Sequence, residues 1–174
     1  MKYLAVKIFW FFVNPIKKFY WFMVRPQTRG VKCLVENNGK LLLVKLNYAH
    51  HKWTFPGGGV GKKESFLDAA IRETKEEVNV DLNLNNLELV HASYRPKHDP
   101  TGDRVDFFFK AKQWSGEIKN MEPSKCDDLN WFYWNNLPEN MTFHVREALE
   151  CIRKGVFFNE IGINTLKEKG LYKL

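Results

Sequence analysis

At 174 residues, 44% apolar and 15% aromatic, the chain can enclose one sizeable core but not two full domains. Its three widely spaced cysteines (Cys33, Cys126, Cys151) exclude a disulfide framework and a zinc site of ordinary spacing, and point to a reducing, cytoplasmic compartment. The net charge of +7 is local: residues 1–32 hold seven of the 27 basic residues and no acid, so 20 basic and 20 acidic residues remain in the body, which argues against a nucleic-acid-coating surface.

The leader, residues 1–26, is dense in aromatic and branched aliphatic residues. Its longest charge-free run, residues 8–16, contains Asn14 and Pro15 and is shorter than the about 20 residues a spanning helix needs. No small-residue cleavage site follows it. Lys7, Asn14, Lys18 and Arg25 fall along one narrow stripe of an amphipathic helix. Such a helix suits peripheral contact with the inner face of a membrane, and equally suits packing on the domain or on a second copy in an oligomer. Pro15 would kink it.

After the leader, residues 30–35 predict a strand and Asn38-Gly39 a hairpin turn. Residues 41–46 predict the returning strand, apolar enough to be buried on both faces. A loop over 47–54 leads into Phe55-Pro56-Gly57-Gly58-Gly59. A helix is expected over 65–78, with Leu67, Ile71 and Val78 toward the core and Asn79 as a left-handed stop. Strands follow at 87–94, 104–111 and 129–134, with a loop over 95–103. A second helix spans 143–154 and stops at Gly155. This order favours an α/β (α+β) fold with a mixed sheet between helices. The expected organisation is a leader (1–26), a domain (27–155) and a tail (156–174) with no assigned element.

The chemistry lies around the first helix. Glu73, Glu76 and Glu77 stand at i, i+3 and i+4, on one helix face. Three close carboxylates repel one another, and a bound Mg²⁺ or Mn²⁺ reverses that sign. The plainer reading is a solvated acidic face paired with Arg72 and Lys75. Glu64 is about half a turn out of phase with Glu73, so it joins the group only from the preceding loop. Glycines 57–59 allow close backbone approach, and their carbonyls offer hard oxygen ligands. Arg72 can hold a carboxylate by a bidentate bond.

Residues 58–80 resemble the Nudix box, GX5EX7REUXEEXGU with U aliphatic, through Gly58, Glu64, Arg72, Glu73, Glu76, Glu77 and Val80. Two positions depart: Thr74 stands where an aliphatic is usual and Asn79 where glycine is usual. The resemblance implies an α/β/α sandwich and metal-dependent hydrolysis of a nucleoside diphosphate linked to another moiety. It implies that Glu73, Glu76 and Glu77 hold Mg²⁺ or Mn²⁺, with the Gly57 carbonyl as an added ligand. Glu64 would support the site from the loop, and Arg72 would orient the glutamates. It further suggests Glu122 as a loop acid, Lys45 as a phosphate contact and Asn140 as a base reader. The plain alternatives are an ordinary loop acid, a surface lysine and a turn or cap residue.

The favoured substrate is a nucleoside triphosphate, with ADP-ribose or another nucleotide sugar as the alternative; Pro96 is similar in spacing to a proline of ADP-ribose-hydrolysing members. A binding module without turnover would lose box carboxylates, and all four are present. A membrane-peripheral adaptor built on the leader is the third reading. His50-His51 and His98 read as loop residues. In the run Trp131–Trp134 one face should be core, and a ring on the other could stack a base.

Overall fold

Positive φ at both Asn38 (48°) and Gly39 (72°) makes the tight turn that joins β1 (Thr28–Asn37) to β2 (Lys40–Leu46), as a two-residue hairpin requires. The computed structural model describes residues 27–96 and 103–163. The leader, with the helix and membrane contact expected of it, lies outside the described residues, as do His98 and residues 164–174. Beyond β2, residues expected as loop form a 3-10 turn (Asn47–Ala49), two left-handed residues (His50 and His51, φ 55° each) and β3 (Lys52–Thr54), which pairs with the end of β2. Three residues are too few to show a strand period, so the sequence pattern could not display β3.

β4 (Leu87–Arg95), β5 (Arg104–Ala111) and β6 (Cys126–Tyr133) occupy the three expected strand regions. A short β7 (Phe158–Glu160) forms past Gly155, in the stretch left without an element, and pairs in parallel with β4. The sheet order is β3-β2-β1-β5-β4-β7, with β6 also on β2. β1 runs parallel to β5 over residues 28–35 and meets β2 only at Glu36 and Asn37. β1 therefore carries the chain from one half of the sheet to the other.

Helix α1 (Phe66–Val78) is capped by Ser65, whose Oγ accepts from the Asp68 N–H (3.0 Å), and is closed by Asn79 at φ 58°. Its buried stripe is Ala69, Ala70, Thr74 and Val78, while Leu67 and Ile71 are only half-buried. Small residues thus take the deepest positions, and the backbone of α1 lies close to the sheet. Thr74 is fully buried, and its hydroxyl donates to the Ala70 carbonyl (2.6 Å), so the departure from an aliphatic leaves no orphaned group. Helix α2 (Phe143–Arg153) closes the other side, where Val145, Ala148 and Leu149 meet Leu34, Leu41, Leu43, Phe55 and Phe108. Phe107 and Phe109, alternating with Phe108, pack toward α1. The aromatic run of β6 is covered on both faces: Phe132 joins the α2-side cluster and Trp131 stacks on Trp114. Tyr133 alone of these is mostly exposed, beneath the Lys40 ammonium at 4.6 Å. No described helix is long and apolar enough to cross a membrane.

Candidate active site

The strap from β3 to α1 is laid against β1. Gly57 adopts φ 135°, and a Cβ there would fall 2.2 Å from the Val31 carbonyl oxygen. Only glycine fits that backbone. At Gly58 an added Cβ would lie 2.3 Å from Glu73 Oε2, so the missing side chain makes room for a carboxylate.

Arg72 is the hub of the acidic group. Its Nε and Nη2 donate to the two oxygens of Glu64 (2.7 and 3.0 Å), its Nη1 to Glu73 Oε1 (2.8 Å) and Glu76 Oε2 (3.1 Å), and its Nη2 also to the Gly59 carbonyl (3.1 Å). The loop thus returns Glu64 to the helix despite its opposite phase. The Arg72 bonds, then the Gly61 N–H (2.6 Å), hold the Glu64 carboxyl down at about 2. Glu77 stands apart: its Oε2 accepts from the Gly57 N–H (2.8 Å). Burial pushes its carboxyl above the usual range, against the opposing pull of Lys32 and the Gly57 N–H.

Among the described residues no three His, Cys, Asp or Glu side chains stand in a group that could hold a metal ion. The reason is visible in the bonds: Arg72 draws Glu73 and Glu76 to itself while Gly57 holds Glu77. The donor chemistry nevertheless fits a hard divalent cation. Three carboxylates project from one helical turn, and Arg72 engages one oxygen of Glu73 and one of Glu76, leaving the second oxygen of each outside that ion pair.

Of the remaining expected residues, Glu122 is brought near. The Met121 N–H donates to the Glu77 carbonyl (3.0 Å), and the Glu122 carboxylate, itself bonded by Lys125 (2.5 Å), adds to the upward push on Glu77. Lys45 and Asn140 both meet Trp53. Lys45 Nζ lies 6.0 Å from the Trp53 ring centre, and Asn140 Nδ2 donates to the His51 carbonyl (3.1 Å) while its own carbonyl accepts from the Trp53 N–H (3.1 Å). His51 is paired with Asp127, and Pro96 follows β4 beside the segment 97–102. Two residues that no spacing pattern picks out share the field of the acids. Tyr48 is 66% exposed as a residue, and partial burial of its hydroxyl end, then the charge of Glu77, pushes its ionisation up. Lys32 is buried and reaches the Gly57 carbonyl. Its signal was a lone cation inside an apolar strand.

Gly58→Ala is expected to keep the fold and lower kcat about 10–100-fold, because the three nearest atoms to the new methyl all belong to the Glu73 carboxylate. Thermal melting together with steady-state kinetics checks this; an unchanged kcat contradicts it.

The NUDIX domain family model matches residues 26–151. The chain is 32% identical over 126 residues to the ADP-ribose pyrophosphatase of Methanocaldococcus jannaschii, covering 71% of this chain and 72% of that protein. It is 28% identical over 120 residues to the m7GpppN-mRNA hydrolase of Saccharomyces cerevisiae, covering 65% of this chain but only 11% of that one. The crystal structure of a MutT NUDIX hydrolase from Burkholderia pseudomallei superimposes with a TM-score of 0.66 at 28% identity, over 72% of this chain and 97% of that one. Box residues clasped around one arginine, on a sheet of this topology, agree with all three similarities, and the chain belongs to the Nudix family of hydrolases that act on pyrophosphate bonds.

Proposed function

We propose that the protein hydrolyses a nucleoside triphosphate to the monophosphate and pyrophosphate, using Mg²⁺ or Mn²⁺ held by Glu73, Glu76 and Glu77 with the Gly57 carbonyl. The observation that carries this reading is the Arg72 clamp, which gathers Glu64, Glu73 and Glu76 beside the Gly58 gap. When bound, the cation neutralises the diphosphate and activates water. The chain's own residues do the rest. Arg72 orients the glutamates, Glu64 anchors Arg72 from the loop, and Gly57 and Gly58 let backbone and carboxylate approach. In this reading Glu122, whose charge bears on Glu77, accepts a proton from water. The exposed ring of Tyr48, whose hydroxyl feels the charge of Glu77 and Glu122, offers a face for a nucleobase.

A second reading, cleavage of ADP-ribose or another nucleotide sugar, is favoured by the similarity to the Methanocaldococcus jannaschii ADP-ribose pyrophosphatase. A panel of nucleoside triphosphates, dinucleotides and nucleotide sugars separates the two by product. Pyrophosphate with a monophosphate supports the first, and AMP with ribose phosphate supports the second. Excess chelator is expected to abolish turnover, and added Mg²⁺ or Mn²⁺ to restore it. Full activity in chelator would overturn the assignment of the three glutamates.

A further inference from the structure

Four successive carbonyls of the strap are all taken by β1. The Cys33 N–H donates to the Pro56 carbonyl (2.9 Å) and the Val31 N–H to that of Gly58 (3.0 Å). Between them, the Lys32 ammonium alone donates to the carbonyls of Phe55 (3.0 Å) and Gly57 (2.9 Å). Lys32 is only 7% exposed, and Phe55 and Gly57 are buried with it. A lysine at that depth is costly unless its donors are used. Burial pushes the ammonium down, with Glu77 and then Asp106 pulling the other way.

Gly57 is consequently gripped on both sides: its carbonyl by Lys32 and its N–H by the Glu77 carboxylate. With no side chain and φ at 135°, Gly57 is fixed by these bonds, by the bonds of β1 to the Pro56 and Gly58 carbonyls on either side, and by the wall of Val31. We propose that Lys32 is a positioning residue for the divalent-cation site: by fixing the Phe55 and Gly57 carbonyls it holds the two peptides that flank the Pro56–Gly57 peptide, whose N–H sets the place of the Glu77 carboxylate. The inference rests on the reading of Glu73, Glu76 and Glu77 as cation ligands. A carbonyl oxygen has two lone pairs, so the Gly57 oxygen can accept from Lys32 and still face a cation.

The competing role is structural only, the satisfaction of two buried carbonyls. Both roles lower the melting temperature of Lys32→Met, but only positioning changes metal affinity. Mn²⁺ binding to the full chain, followed by the loss of the free-ion signal in electron paramagnetic resonance, tells them apart. Lys32→Met is expected to raise the Mn²⁺ Kd about 10–100-fold, with kcat recovering as Mn²⁺ is raised and Lys32→Arg falling between. A destabilised Lys32→Met with the wild-type Kd overturns the inference. If that variant does not fold, wild-type protein labelled with ¹³C at lysine Cε decides the matter. Mg²⁺ is expected to move the Lys32 resonance, identified by its loss in Lys32→Arg, and a resonance unmoved at saturating Mg²⁺ overturns the proposal. A wild type that binds no Mn²⁺ fails the reading of the carboxylates as well, whereas an unshifted Kd in the variant fails this inference alone.

Discussion

Glu76→Gln is expected to lower turnover about 100–1,000-fold while leaving the melting temperature close to that of the wild type. The two halves of that expectation have separate causes. A cation held by three carboxylates contributes several kcal/mol to the transition state, and each ~1.4 kcal/mol is a factor of ten in rate. Removing one formal charge from the proposed ligand set should therefore forfeit roughly two to three decades. The fold loses little, because the Glu76 side chain is 54% exposed and its ion pair with Arg72 is a surface contact at 3.1 Å. Such pairs contribute about 0–1 kcal/mol. Lys75, on the same helix and paired with Asp81, is the matched control: Lys75→Ala removes a charge that is 47% exposed and outside the acidic group, and should leave kcat alone. Measurement at saturating Mg²⁺ with parallel thermal melts distinguishes catalytic loss from unfolding. A kcat within about threefold of wild type would remove Glu76 from the cation site.

The same helix shows how far sequence reasoning reached. Spacing alone placed Glu73, Glu76 and Glu77 on one face, and the structure does so. It also placed Glu64 out of phase, correctly requiring a loop to bring it back, which the Gly61 N–H and Arg72 accomplish. What spacing could not display is that Arg72 bonds Glu64, Glu73 and Glu76 at once while Glu77 goes to the Gly57 N–H, because a pattern of positions carries no information about which rotamers win. Val78 is fully buried and Leu67 packs at the edge of the α1-side cluster, but smaller residues take most of the deepest places. Periodicity weighted by hydrophobicity selects Leu67 and Ile71, whereas close approach of a helix to a sheet selects Ala69, Ala70 and Thr74. Asn79 was legible as a left-handed stop because its side chain tolerates that conformation locally. β3 and β7 were not, since a three-residue strand is defined by its partner and not by its own period. Lys32 was hidden for a related reason. A charge in a strand reads as an outward face, and here the strap lies over that face and supplies it with carbonyls.

Asp106→Leu should be the most damaging of these substitutions to stability, and nothing in the sequence singled it out. Asp106 lies on β5 at 1% exposure, accepting from Arg95 Nη2 at Oδ2 (2.5 Å) and from Arg104 Nε at Oδ1 (2.8 Å). Gly30 on β1 is the floor of this group: a Cβ there would fall 2.1 Å from Arg104 Nη2 and 2.2 Å from Asp106 Oδ1. Removing one member of a buried ion pair costs about 3–5 kcal/mol, since the cations left behind lose a charge that compensated them. At about 2–4 °C per kcal/mol for a chain of this size, the melting temperature should fall by about 6–20 °C. The acid response carries a second signature. Burial pushes the Asp106 carboxyl up, but Arg104 and Arg95, with His144 and Lys32 beyond them, outweigh it and hold it below the usual aspartate range. A depressed carboxyl stabilises the fold in full above about pH 4, its unfolded value, and loses that contribution as the pH falls toward the folded value. The wild type should therefore weaken below about pH 4 more steeply than Asp106→Leu does. Asp106→Asn, which keeps an acceptor but no charge, should fall between them. Melts across pH 3–7 test all three at once, and a variant that melts within about 2 °C of wild type would show that the two arginines do not depend on this carboxylate.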